Sequence, residues 1–274
     1  MIAEQPSMVD RFVRAVGSRL DGSPLAVMLD IDGTLAPIAP TPDAAIVPPE
    51  TRDVVRRLVA LPGVHVALVS GRSVADALRL TRVKGAWIVG NHGLELRTAI
   101  GEISTVDEAL AYEDAIARAS RALAPLARSA PGAIVENKRW TLSLHYRLVD
   151  DAEAPALIAR ARDVARELGL RVTDGKKIIE LRPPIDVNKG TAAVALANRV
   201  GALDEGGCIL YAGDDQTDED AFRALRARAS HAVTARIMDA SADTRSAKSD
   251  AEFVLASPSD VRSALEWLVA RRAR

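Results

Sequence analysis

The stretch "LDIDGTLAPIAP" (residues 29–40) closes the apolar run "PLAVML" (24–29) with two aspartates one residue apart. The run does not alternate, so Leu25 to Leu29 reads as a strand buried on both faces, as in a parallel sheet. Asp-Gly-Thr taken alone is ordinary turn chemistry. Asp30, however, leaves the buried strand directly, and a carboxylate there needs a partner. A divalent cation would supply one while leaving the carboxylate able to attack an electrophile.

Working outward, "VHVALV" (64–69), "AWIV" (86–89), "CILYA" (208–212) and "HAV" (231–233) are further apolar runs of strand length. Helical patterns lie between them, as in stacked βα units. Val54, Val55, Leu58 and Val59 form one helix face after Pro48 and Pro49, and Val194, Leu196, Ala197 and Val200 form another after Gly190. Val261, Ala264, Leu265, Leu268 and Val269 make a closing helix after Pro258. The rhythm changes between Asp107 and Pro183. There a helical stretch to Arg128, "GAIVENKRWTLSLHYR", a second helix from 151 to 168 and "LRVTDGKKIIELRPP" spell an α-ββ-α-ββ block. Ser143, His145 and Arg147 alternate with Leu142, Leu144 and Tyr146, the period of a half-exposed antiparallel strand, and "TDGK" predicts a hairpin turn. The expected organisation is an α/β core of residues 1–106 and 184–274, interrupted by an α+β module over 107–183.

The bulk numbers narrow the class of function. The 274 residues suit one core with a modest insertion. A formal net charge of −1 with only 3% aromatics offers neither an electrostatic stripe nor a stacking platform, so no nucleic-acid partner is expected. The N-terminal "MIAEQPSMVDRF" lacks a basic segment followed by an apolar one, and no 18 apolar residues run together, so a cytoplasmic protein without a membrane partner is expected. The one cysteine, Cys208, reads as a small buried hydrophobe.

In an open α/β sheet, ligands sit beyond the carboxyl ends of the strands. The residues at those ends are Asp30, Asp32, Gly33 and Thr34; Ser70, Gly71 and Arg72; Gly90, Asn91, His92 and Gly93; and Asp214, Asp215 and Asp218. Asp218 and Glu219 suit the first turn of the following helix. Adjacent Asp214 and Asp215 repel unless a cation is present, and with only oxygen ligands in view Mg²⁺ is the expected metal. Lys189 opposes the dipole of the helix it opens, which signals an anion at that spot, although a solvated surface lysine reads as well. Ser70 ends a strand and offers a hydroxyl to a phosphate oxygen. A carboxylate nucleophile, a second carboxylate, a hydroxyl, a lysine and a metal site are the components of phosphoryl transfer.

"DIDGT", "SGR", "DVNKG" and "GDDQTDEDAF", in that order, resemble the four signature motifs of the haloacid dehalogenase superfamily, with the insertion in the position of a type 2 cap. "GNHGLE", "ENKRWTLSLHYR" and "GKKIIELRP" narrow the resemblance to the trehalose-6-phosphate phosphatases, from about Leu29 to Phe222. Two departures are visible: Ile31 stands where many members carry an aromatic residue, and the tract 236–250 is long and polar.

The resemblance implies a Rossmann-like core and a catalytic set of Asp30 as nucleophile, Asp32 as acid and then base, and Ser70 and Lys189 on the phosphoryl oxygens. It implies Mg²⁺ on Asp30, the Asp32 carbonyl and Asp214, supported by Asp215 and Asp218. Glu136, Lys138 and Glu180 would reach sugar hydroxyls, with Arg72, Asn91, His92 and Gly93 on the core side. On their residues alone, Glu136 and Lys138 read as a solvated pair, Glu180 as a strand-face charge and His92 as a turn histidine. The implied reaction is Mg²⁺-dependent hydrolysis of trehalose 6-phosphate, with a functional link to a trehalose-6-phosphate synthase; the oligomeric state is left open, with a monomer favoured. Sucrose phosphate or a glycosyl-phosphoglycerate is the alternative substrate, and a non-catalytic sugar-phosphate-binding domain the alternative class.

Overall fold

The computed structural model describes residues 6–238 and 248–274. The elements in chain order are α1 (Met8–Val16), β1 (Leu25–Leu29), α2 (Pro49–Val59), β2 (Val64–Val69), α3 (Val74–Thr81), β3 (Trp87–Gly90), β4 (Glu95–Arg97) and β5 (Ile103–Thr105). The insertion carries α4 (Asp107–Leu110), α5 (Glu113–Ser129), β6 (Ile134–Asn137), β7 (Leu142–His145), α6 (Ala154–Glu167), β8 (Arg171–Gly175) and β9 (Ile178–Arg182). Then follow α7 (Lys189–Arg199), β10 (Cys208–Gly213), α8 (Gln216–Arg228), β11 (Val233–Ile237), β12 (Phe253–Leu255) and α9 (Pro258–Arg272). Of the polar tract 236–250, residues 239–247 lie outside the described residues.

Two compact units result: residues 1–39, 45–103 and 187–274 form one, and 40–44 with 104–186 form the other. The first sheet runs β12-β11-β10-β1-β2-β3-β4-β5, parallel from β12 to β3 and antiparallel between β3 and β4. Every residue of β1 is buried, and successive residues enter opposite layers. Leu25, Val27 and Leu29 join the cluster of Phe12, Val54, Leu58 and Leu265, while Ala26 and Met28 join Leu196, Phe222 and Leu225. The missing alternation of "PLAVML" thus reflects helices on both faces. Ile31 is fully buried in the first cluster.

The second unit carries a four-stranded antiparallel sheet in the order β6-β7-β9-β8. Leu142, Leu144, Ile179 and Leu181 pack with Ile116 and Leu123 of α5 and Leu157 and Val164 of α6. Strand alternation then places Glu136, Ser143, Glu180 and Thr173 in one cross-strand row on the opposite face.

Three local expectations shift. The hairpin turn is Lys176–Lys177 rather than "TDGK", because Gly175 pairs with Ile178 and Lys177 adopts φ 62°. The helical stretch from Asp107 divides between Leu110 and Glu113. The strand foreseen at 231–233 lies at Val233–Ile237 and includes Thr234 and Arg236, so its apolar pattern is broken. Thr234 Oγ1 accepts from the Glu252 amide, and Arg236 pairs with Glu219, which gives both polar side chains partners.

Candidate active site

Strand register assembles the site. Leu29 pairs with Ala212 on one side and Leu68 on the other, so Asp30, Asp214 and Ser70 emerge at neighbouring carboxyl ends. The Asp30 amide still donates to Ala212 O at 2.9 Å, which extends the sheet to the carboxylate itself.

Lys189 opens α7 and is 1% exposed. Asn188 caps that helix and Thr191 returns the bond, fixing the turn from which Lys189 projects. Its Nζ donates to Asp30 Oδ1 at 2.7 Å and Asp218 Oδ1 at 2.9 Å, with Asp215 Oδ1 at 3.7 Å. A solvated surface lysine is thereby excluded. Carboxylate oxygens of Asp30, Asp214 and Asp218 all lie within 4.8 Å of one another. Asp215 caps α8 by accepting from the Thr217 and Asp218 amides.

Asp218 is fully buried, and donors fill both of its oxygens. Tyr211 Oη and Lys189 reach Oδ1 at 2.7 and 2.9 Å; the amides of Asp214 and Asp215 reach Oδ2 at 3.0 and 3.1 Å. Burial pushes Asp218 up to about 7, Lys189 opposes that, and the four donors match the ionised form. Burial raises Asp30 well above the usual carboxylate range; Lys189 pulls it down, and Asp218, Asp214 and Asp215 push it up. Lys189 is held charged, since the aspartates outweigh the effect of its burial. Burial would raise Asp215 too, but Lys189 and hydrogen bonds hold it below its ordinary value. Three carboxylates around one ammonium, with Asp214 beside Asp30 and Asp218, leave a net −3 when all are ionised, a donor set of hard oxygens that fits a divalent cation.

Gly33 makes room for this cluster. Its φ is +88°, and a Cβ would lie 2.3 Å from Asp214 Oδ2.

Asp32 is turned toward Arg72, which donates Nε to Oδ2 at 2.6 Å and Nη2 to Oδ1 at 2.8 Å. Ser70 Oγ accepts from the Arg72 amide at 3.2 Å, and the Asn91 amide donates to Arg72 O at 2.7 Å. Asn91 and His92 take φ 48° and 56°, left-handed conformations unusual for residues bearing a Cβ, and Gly93 follows at φ 112°. Glu95 Oε2 holds this loop by accepting from Asn91 Nδ2 and the Val74 amide, both at 2.9 Å.

The sequence profile of the trehalose-phosphatase family matches residues 28–259, which contain every residue of this site. The chain belongs to the trehalose-phosphatase family. A probable trehalose-phosphate phosphatase 9 of Oryza sativa subsp. japonica is 32% identical over 289 residues, covering 97% of this chain and 75% of that relative. A Mycobacterium tuberculosis protein named as an uncharacterized glycosyl hydrolase is 41% identical over 210 residues, 76% of this chain. This chain spans only 16% of that relative's length. The crystal structure of a trehalose-6-phosphate phosphatase related protein superposes with a TM-score of 0.77 at 25% identity, covering 89% of this chain and 97% of that one. Haloacid dehalogenase-like hydrolases share the fold.

In this trehalose-phosphatase family member the remaining expected residues lie in the second unit. Lys138 Nζ donates to Glu180 Oε1 at 2.5 Å, with both side chains under 10% exposed. Thr141 and Ser143 hydroxyls reach the same oxygen at 3.4 and 3.3 Å. Lys138 therefore pairs with Glu180 across the sheet, and Glu136 engages His145 Nε2 at 2.8 Å. Sequence reading missed Tyr211, Glu95, Asp76 and His145. Tyr211 carried a signal, a phenol in a strand otherwise of small and aliphatic residues, and Asp76 carried one in its i,i+4 and i,i+3 spacing to Arg72 and Arg79; Glu95 and His145 depend on register.

Proposed function

We propose that this protein is a divalent-metal-dependent phosphatase acting on trehalose 6-phosphate through an aspartyl-phosphate on Asp30. The observation that carries the reading is Lys189, a buried ammonium 2.7 Å from Asp30 Oδ1 at the carboxyl end of the sheet. A buried cation facing a carboxylate at a strand end prepares a site for a second anion.

Asp30 attacks phosphorus while Asp32 gives a proton to the departing sugar oxygen. Asp32 then takes a proton from the water that attacks the acyl-phosphate, which releases phosphate and restores Asp30. Lys189 spends two of its three hydrogens on Asp30 and Asp218, which leaves one for a phosphoryl oxygen. Ser70 accepts from the Arg72 amide and so can direct its own proton at the phosphate. Asp30, Asp214 and the Asp32 carbonyl would hold Mg²⁺; Asp218, whose oxygens already take four donors, and Asp215 keep the loop in place. When bound, the ion offsets the repulsion between the carboxylates and the substrate phosphate.

Glu180, Lys138 and Glu136 read sugar hydroxyls, and the second unit is the specificity cap. Asn91, His92 and Gly93 line the core side. The protein acts as a cytoplasmic monomer fed by a trehalose-6-phosphate synthase; no helix among the described residues is long and apolar enough to cross a membrane. The test is phosphate release from trehalose 6-phosphate beside sucrose 6-phosphate, glycosyl-phosphoglycerates and simple sugar phosphates, with Mg²⁺ and with chelator. Preference for another ester would move the substrate, and no release from any would support a binding domain.

A further inference from the structure

The Arg72 guanidinium lies against two aspartates, Asp32 and Asp76. Its side chain is 9% exposed, and three of its donor nitrogens meet carboxylates: Nε and Nη2 grip both oxygens of Asp32, and Nη1 donates to Asp76 Oδ2 at 2.5 Å. Asp76 is itself held. It sits in the first turn of α3, where its amide donates to the Ser73 hydroxyl at 3.2 Å, and its other oxygen takes Nε and Nη2 of Arg79 at 3.0 and 2.5 Å. Burial works against the Arg72 charge and the two carboxylates more than offset it. The Arg72 backbone is also fixed, because its amide bonds Ser70 Oγ and its carbonyl takes the Asn91 amide.

We infer that Arg72 is a positioning residue for Asp32 rather than a contact for the sugar phosphate, and that Asp76 sets the orientation of Arg72. A two-pronged grip fixes the plane of the Asp32 carboxyl as well as its distance, which a lysine could not do. The inference rests on the proposed acid–base role of Asp32. Proton delivery matters most for a poor leaving group, so a misplaced Asp32 should penalise a sugar phosphate more than an aryl phosphate whose phenolate leaves unaided.

The experiment measures kcat and KM of the Mg²⁺-loaded protein for trehalose 6-phosphate and for aryl phosphates of graded leaving-group pKa. The variants are Arg72→Lys, Asp76→Asn and Asp32→Asn, each checked by thermal melting. Arg72→Lys should lower kcat/KM for trehalose 6-phosphate by about tenfold to a hundredfold through kcat, and should steepen the leaving-group dependence. Asp76→Asn should show the same pattern more weakly, and it carries the test if Arg72→Lys does not fold. A rise in KM at constant kcat would make Arg72 a substrate contact and overturn the inference. So would a uniform loss across leaving groups in both variants. Asp32→Asn separates the two levels: if it steepens the dependence and neither Arg72→Lys nor Asp76→Asn does, positioning fails alone. If it leaves the dependence unchanged, the acid–base role fails and takes the inference with it.

Discussion

Glu180 gives the sharpest test of substrate reading, because the structure separates two costs that a single alanine variant would merge. Its Oε1 takes the Lys138 ammonium at 2.5 Å, and the Thr141 and Ser143 hydroxyls approach the same atom. Both charged side chains are buried, at 8% and 7% exposure. Removing one member of a buried ion pair costs about 3–5 kcal/mol, since the other charge stays behind. Glu180→Ala should therefore lower stability by roughly that amount, and its lost activity would say little about the sugar. Glu180→Gln keeps the shape and an acceptor for Lys138, so its stability cost should be smaller, about 1–2 kcal/mol. If Glu180 also accepts from a sugar hydroxyl, the charged bond is worth about 1.5–3 kcal/mol, or roughly tenfold to a hundredfold in kcat/KM. The assay is denaturant unfolding of both variants, with kcat/KM of Glu180→Gln on trehalose 6-phosphate and on an aryl phosphate. The sugar phosphate should lose and the aryl phosphate should not. Equal losses on both, at parental stability, would refute sugar reading; an alanine variant as stable as the parent would refute the buried pair.

Gly33→Ala forces a methyl to 2.3 Å from Asp214 Oδ2 at φ +88°, so the midpoint for Mg²⁺ activation should rise about tenfold to a hundredfold; an unmoved midpoint would contradict the close approach. Mg²⁺ at about 100 times its Kd should stabilise the parent by about 2.7 kcal/mol, and Asp214→Asn should remove that gain without any turnover being measured. An equal gain in Asp214→Asn would take Asp214 out of the metal site. Burial raises the Asp76 carboxyl, but Arg72 and Arg79 outweigh it and hold the group below its ordinary 3.8. The stability it contributes is present above 3.8 and is lost as pH falls through the lower folded value. Asp76→Asn should therefore melt below the parent at pH 7 and converge with it in acid; a gap that persists at the lowest pH would refute the linkage.

The parallel core was legible because β1, β2 and β10 are buried on both faces and show as apolar runs, interrupted only by His65 in β2, and their ends directed attention to Asp30, Ser70 and Asp214. Lys189 was legible from its place at a helix start, where a cation is out of keeping with the dipole. Pairings across the sheets were not. Arg72 meets Asp32 from 40 residues away, and Lys138 meets Glu180 from 42, through a register that no local pattern states. Glu95 reads as one more charge on a short strand until Asn91 and Val74 are seen to share its oxygen. Strand β11 showed only in part because Thr234 and Arg236 replace apolar residues where side chains and the Glu252 amide supply partners. The hairpin was displaced because Asp-Gly, the stronger turn signal, was taken up in the β8–β9 ladder, and the two lysines that follow made the turn.

In the proposed reaction Asp30 carries the phosphoryl group. Rapid acid quench of the Mg²⁺-loaded protein during turnover of trehalose 6-phosphate, followed by peptide mapping, reads this directly. One acid-stable, hydroxylamine-labile phosphoryl group is expected on the peptide holding Asp30, absent from Asp30→Asn, whose turnover falls to background while its fold is kept. A phosphoryl group on another residue, or full turnover by Asp30→Asn, would contradict it.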